Sequence, residues 1–175
     1  DPRYAMDANS TRIAALIFSS LTRSDQNSRF QPELAERWEM VDERTYLFHL
    51  RQGVTFHNGK PLTAADVKFT YESVLDAKNQ SPRRATLQAL KAVEPIGPYR
   101  VRFRLHSPYA PFLESSTLGI VPEGSPAQSA WGKNSLIGSG PFSLETFSAG
   151  EKVVLKAHPY YWEGKPALSG LVFKI

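Results

Sequence analysis

The chain has 175 residues, enough for one domain with a real core or two small subdomains, and its 41% hydrophobic and 22% charged content excludes a disordered polypeptide. It has no cysteine, which excludes disulfides, thiolate metal sites and a cysteine nucleophile. The longest apolar run, Ile13 to Phe18, is too short to cross a bilayer, and 17 acidic residues interspersed with 21 Lys and Arg argue against a dedicated nucleic-acid surface despite the net charge of +4. No basic and apolar leader precedes Asp1, so the chain reads as a mature or trimmed product whose own residues do not show export.

In chain order, Ser10 is placed to cap a short helix through Ile13, Ala14, Ile17 and Phe18. Pro32 fits the first turn of a short helix over 32–35. Trp38, Met40 and 45–51 read as extended, with Tyr46, Phe48 and Leu50 on one face. Val54 to Phe56 reads as a further short strand, and Asn58-Gly59 as a tight turn. Thr63 and Asp66 have capping-box spacing ahead of a helix that lines up Ala64, Val67, Tyr71, Val74 and Leu75. A second helix is predicted over 84–91, then strands over 92–96 and 99–105 joined by Gly97-Pro98. The stretch 107–139 is rich in Pro, Gly and Ser, with one short helix near 111–115. Strands resume at 142–147, 152–157 and 171–175. A sheet strand at the extreme terminus predicts that the chain continues within a larger protein. Short strands separated by a few helices give an α+β fold.

Several groups carry chemical possibilities. Gly138-Ser139-Gly140 reads as a turn into the following strand, or as a backbone cradle touching a ligand; it lacks the residues of a P-loop, a dinucleotide fingerprint or a nucleophile elbow. Arg100, Arg102, Arg104 and His106 share one face of a strand, which reads as a solvated face rather than an anion stripe, since no aromatics interleave with them. His49, His57, His106 and His158 lack metal-ligand spacing, and His57 reads as a structural hydrogen-bonding residue. Tyr160, Tyr161 and Trp162 read as an anchor for their loop or as ligand-stacking rings, and the role of Trp131 is open.

The string Leu34-Ala35-Glu36-Arg37-Trp38, followed by the run from Tyr46 through Val67, closely resembles the pattern "LAxxW … FxLRxGVxFHxGxxLTAxDV" of the extracellular solute-binding protein family 5. Asp1-Pro2 with Leu16 to Leu21 is similar to the family's "DP … lifegL" opening, Ile137 to Phe142 to its "IGTGPF" segment, and Tyr161 to Pro166 to its "YWxGKP" segment. The departures are Ser19-Ser20 for the usual Glu-Gly and Ser139 for the usual Thr.

The resemblance implies the N-terminal lobe portion of a periplasmic-binding-protein-like fold (type II, cluster C). Residues 1–40 and 137–175 would form the lobe I sheet and 41–136 an inserted subdomain. It implies capture of a peptide or related small solute for ABC permease subunits in the membrane. The full-length protein would be a monomer, periplasmic or extracellular and lipid-anchored. No catalytic residue, metal, cofactor or nucleic acid is expected. Phe18, Ser19 and Ser20 are expected to face the ligand, with Asn9, Ser116, Ser139 and Gly140 as further contacts. The rival readings are a sensor module fused to a DNA-binding domain and a hydrolase with a spatially assembled site.

Overall fold

The computed structural model describes residues 1–127 and 136–174; Trp131 and Ile175 lie outside them. The described chain is α+β, as expected, and every strand pairing in it is antiparallel. Helix α1 (Ala8–Ile17) leads to a small ribbon of β1 (Thr22–Ser24) and β2 (Phe30–Pro32). Strands β3 (Ala35–Asp42), β4 (Thr45–Leu50), β5 (Leu90–Pro95) and β6 (Arg100–Leu105) form a sheet in the order β3-β4-β6-β5. Helix α2 (Ala64–Leu75) lies between β4 and β5 in sequence. The short α3 (Phe112–Ser115) then precedes a sheet ordered β7 (Phe142–Ser148), β8 (Lys152–Ala157), β9 (Gly170–Lys174).

Two cores result. In the first, β4 and β6 alternate strictly, burying Tyr46, Phe48, Leu50, Val101, Phe103 and Leu105. Phe103 sits at the centre, edge-on to Phe48 at 5.3 Å and to Tyr71 of α2 at 4.8 Å, and 5.4 Å from Phe112. The opposite face of β6 turns Arg102 and Arg104 toward Glu94, at 3.5 Å each and about half exposed, so the arginine stripe lies on the outer face of the sheet. The second core is α1 on β7, β8 and β9: Ala14, Ile17 and Phe18 against Leu144, Val153 and Leu155.

Helix α2 starts as the spacing predicts. The Thr63 N–H donates to Asp66 Oδ2 at 2.8 Å, Thr63 Oγ1 accepts from Ala65 N–H at 3.3 Å, and Asp66 Oδ1 accepts from Glu123 N–H at 2.9 Å.

Four local expectations are corrected. The cap of α1 is Asp7, not Ser10: Asp7 Oδ1 accepts the Ser10 N–H at 2.9 Å, placing a negative charge at the positive end of the helix. No helix forms over 32–35, because the N–H groups of Glu33, Leu34 and Ala35 donate to the carbonyls of Leu21, Ser20 and Leu21. Residues 54–56 are a tight loop with a single bridge, Thr55 to Pro61, that plugs Val54 and Phe56 into the first core. In place of a helix over 84–91 there is a 3₁₀ segment, Pro82–Leu87, and Leu90 is already paired with Leu105. Strand β3 pairs with β4 from Ala35 to Asp42.

Candidate functional site

A cleft of about 700 Å³ opens where the two cores meet. Its apolar wall includes Ala14 of α1, Phe18 just past the end of that helix, Leu118 and Pro141; its polar groups include Ser20, Arg23, Glu33, Arg83, Tyr161 and Glu163.

The floor is held by one close backbone approach. Gly140 N–H donates to the carbonyl of Ile17 at 2.9 Å. A Cβ on Gly138 would lie 1.9 Å from Ile17 O, and one on Gly140 2.7 Å from Leu16 O, so glycine is required at both positions by space. His57 locks the crossing from the other side. Its backbone N–H donates to Gly138 O at 2.8 Å, its Nδ1 accepts Gly138 N–H at 3.3 Å, and its Nε2–H donates to Gly140 O at 3.0 Å. These partners assign the neutral Nε2–H tautomer. Burial lowers the His57 pKa, with the His158 ring 4.9 Å away adding to the effect; burial also lowers that of His158.

The seven residues expected at the ligand occupy different places. Phe18 and Ser20 line the cleft. Ser19 is 1% exposed; its Oγ donates to Ser139 O at 3.1 Å and accepts from Trp162 Nε1–H at 3.3 Å. Ser116 is equally buried. Its single hydroxyl proton goes to Leu113 O at 2.6 Å, so it accepts from Thr22 Oγ1, 2.5 Å away. Ser139 Oγ is buried with no hydrogen-bond partner among the described residues. Gly140 is packed against α1. Asn9 is exposed on the first turn of α1, beside a separate hollow between α1 and the β7–β9 sheet.

The aromatic loop divides its work. Trp162 is an anchor, bonded to Ser19 and covered by the Arg51 guanidinium at 5.1 Å. Tyr161 lines the cleft, and Tyr160 is 82% exposed.

Sequence reasoning missed the charged rim. Arg23 forks onto Glu163 with contacts of 2.9 and 3.0 Å, and Tyr161 O–H donates to Glu163 at 2.9 Å. Burial opposes ionisation of Glu163, but these bonds outweigh it and hold its pKa low; burial pushes the Tyr161 phenol up. Glu33 is buried, its Oε2 accepting the Ser20 N–H at 3.0 Å, and burial pushes its pKa up. Arg83 donates through Nε and Nη2 to Ala5 O at 3.1 and 2.6 Å. No spacing rule connects positions 23, 33, 83 and 163, which only the fold brings to one rim. Among the described residues no serine hydroxyl is hydrogen-bonded to a histidine, and no three His, Asp or Glu side chains are grouped to hold a metal ion.

Comparison with known proteins places this architecture. The model for bacterial extracellular solute-binding proteins, family 5 Middle, matches residues 29–175. Protein XP55 of Streptomyces lividans is 38% identical over 178 residues, covering 98% of this chain and 32% of its own. The oligopeptide-binding protein AppA of Bacillus subtilis is 33% identical over 183 residues, covering 98% of this chain and 34% of its own. The AppA structure, in complex with a nonapeptide, superposes with a TM-score of 0.94 at 32% identity over 100% of this chain and 37% of AppA. NikZ of Campylobacter jejuni, in complex with Ni(L-His), superposes with a TM-score of 0.88 at 31% identity over 99% of this chain and 36% of NikZ. The chain thus spans about a third of the length of the curated relatives it matches. The hairpin, the capped helix and the glycine crossing all fall within the matched residues, as do Glu33, Arg83, Leu118, Tyr161 and Glu163 of the cleft, and the chain belongs to the bacterial extracellular solute-binding proteins of family 5.

Proposed function

We propose that the complete protein carrying this chain captures a peptide or related small solute for an ABC importer by closing two lobes around it, and that this chain supplies one wall of the cleft. The observation that carries the reading is the open, mainly apolar cleft with a few fixed polar groups, built on a fold shared over its full length with a nonapeptide-bound relative. Phe18 and Ser20 are the expected residues that face the solute; Ser19, Ser139 and Gly140 hold the floor beneath it. Roughly, residues 1–40 and 137–175 form the lobe I portion and 41–136 an inserted subdomain.

Closure is an equilibrium that solute shifts by binding the closed state more tightly, and no bond is made or broken. Membrane permease subunits receive the solute, and the protein works as a monomer in the periplasm or outside the cell. The present chain alone binds at millimolar affinity or not at all, because the opposing wall contributes about half of the buried area. The test is calorimetric titration of the complete protein with tri-alanine and a nonapeptide, followed by mass spectrometry of the ligand. Saturable binding with the peptide recovered intact is expected; turnover of the peptide, or tight binding by the present chain alone, overturns the proposal.

A further inference from the structure

Glu33 stands in the cleft wall with no ion pair of its own among the described residues. It is 9% exposed. Its Oε2 accepts the Ser20 N–H at 3.0 Å and lies 2.6 Å from Ser20 Oγ, whose single proton is also wanted by Thr22 O at 2.8 Å. Among the described residues its Oε1 accepts no hydrogen bond, and neither oxygen joins an ion pair. The cations around it are committed elsewhere. Arg23 of β1 forks onto Glu163 of the loop before β9, Arg51 donates to the Glu33 carbonyl and lies over Trp162, and Arg83 is spent on Ala5 O. Arg23, though paired with Glu163, still favours the Glu33 carboxylate from a distance; Glu163 opposes it with a weaker like charge, and Tyr161 gives its proton to Glu163.

A buried carboxylate is costly unless a cation or a proton neutralises it. Here a second oxygen is left open on a cleft built to receive a solute.

We infer that Glu33 is the receptor for a cationic group of the solute, an ammonium or a guanidinium, and that it selects positively charged ligands. The inference deepens the solute-capture reading and rests on it. In the empty cleft the carboxyl holds a proton more readily than an exposed glutamate, because burial raises its pKa. An arriving cation takes the place of that proton, which leaves to solvent, and gains a charge-assisted hydrogen bond to Oε1. Ser20 fixes the carboxyl in place through Oε2, so little ordering is required when the cation arrives.

The experiment is calorimetric titration of the complete protein, wild type and Glu33→Gln, with two pairs of probes. Tri-alanine against N-acetyl-tri-alanine tests an α-ammonium; N-acetyl-Ala-Lys-Ala against N-acetyl-Ala-Met-Ala tests a side-chain ammonium. In the wild type the ammonium-bearing member of at least one pair binds about 10- to 100-fold more tightly, and Glu33→Gln erases that margin while the member without the ammonium stays within about twofold. The wild type also releases protons on binding the ammonium-bearing peptide at mildly acidic pH, and the variant releases fewer. An equal margin in both proteins, or no margin in the wild type, overturns the inference and leaves solute capture standing. Failure of all four peptides to bind the wild type overturns the peptide reading, and the inference with it. If Glu33→Gln binds nothing, Glu33→Asp decides: preference retained supports the carboxylate receptor, preference lost refutes it.

Discussion

Substituting Gly138 by alanine tests whether the two cores are joined by backbone approach. The new Cβ would stand 1.9 Å from Ile17 O, 2.7 Å from Ile17 C and 2.9 Å from Phe18 Cδ1. Ordinary carbon–oxygen contact is about 3.3 Å, so the end of α1 must retreat by roughly 1.4 Å. Two of the three obstructing atoms are backbone and cannot rotate away. Overpacking of this kind costs about 1–3 kcal/mol. The retreat also pulls apart Gly140 N–H to Ile17 O, a contact with a net value of about 1 kcal/mol, whereas the His57 ring bonds stay within the glycine segment. The expected loss is roughly 2–4 kcal/mol, a sizeable part of a typical domain's 5–15 kcal/mol.

Urea unfolding followed by circular dichroism and tryptophan fluorescence measures it. Gly59→Ala is the control. Gly59 has φ +80° with nothing within 4 Å of its would-be Cβ, so alanine there costs only the left-handed backbone, about 1–2 kcal/mol. If Gly138→Ala is no more destabilising than Gly59→Ala, the close-approach argument is wrong.

Asp66→Ala removes three acceptor contacts, from Thr63 N–H, Thr63 Oγ1 and Glu123 N–H, and should cost about 2–3 kcal/mol in the same assay. A loss below about 0.5 kcal/mol would show that α2 is set by packing alone. Phe103→Ala, at 0% exposure among Phe48, Tyr71 and Phe112, should cost about 3–5 kcal/mol and can be read from the thermal midpoint. Burial lowers the pKa of His57 and His158, so the unfolded chain binds more protons than the folded one below about pH 6.5. Their contribution is complete above that pH and is lost as pH falls toward the folded pKa values. Glu33, with a raised pKa, acts in the opposite sense. The slope of unfolding free energy against pH should therefore flatten in His57→Gln, and an unchanged slope would remove His57 from the acid response.

Local patterning was readable wherever one element decides its own shape. The alternation of Tyr46, Phe48 and Leu50, and of Val101, Phe103 and Leu105, fixed two central strands with their buried faces. The Thr63–Asp66 spacing fixed the start of α2 because a capping box closes within four residues. The errors came where distant partners claimed backbone groups. Residues 33–35 are extended because carbonyls at 20 and 21 take their N–H groups, and from Leu90 the chain leaves the helical path to pair with β6.

The sequence by itself determined the central strands β4 and β6, the start of α2, their apolar faces and, through its motifs, the family. Only the tertiary structure decided which hydroxyls face the cleft and which are buried in the floor, since Ser19 and Ser20 are neighbours in the chain yet point to different partners. It alone brought Glu33 beside Ser20 while committing Arg23 to Glu163, 140 positions away. Hydrophobic periodicity reports burial along one element, whereas the charge balance of a cleft depends on residues from four separate elements, and no local period encodes their meeting.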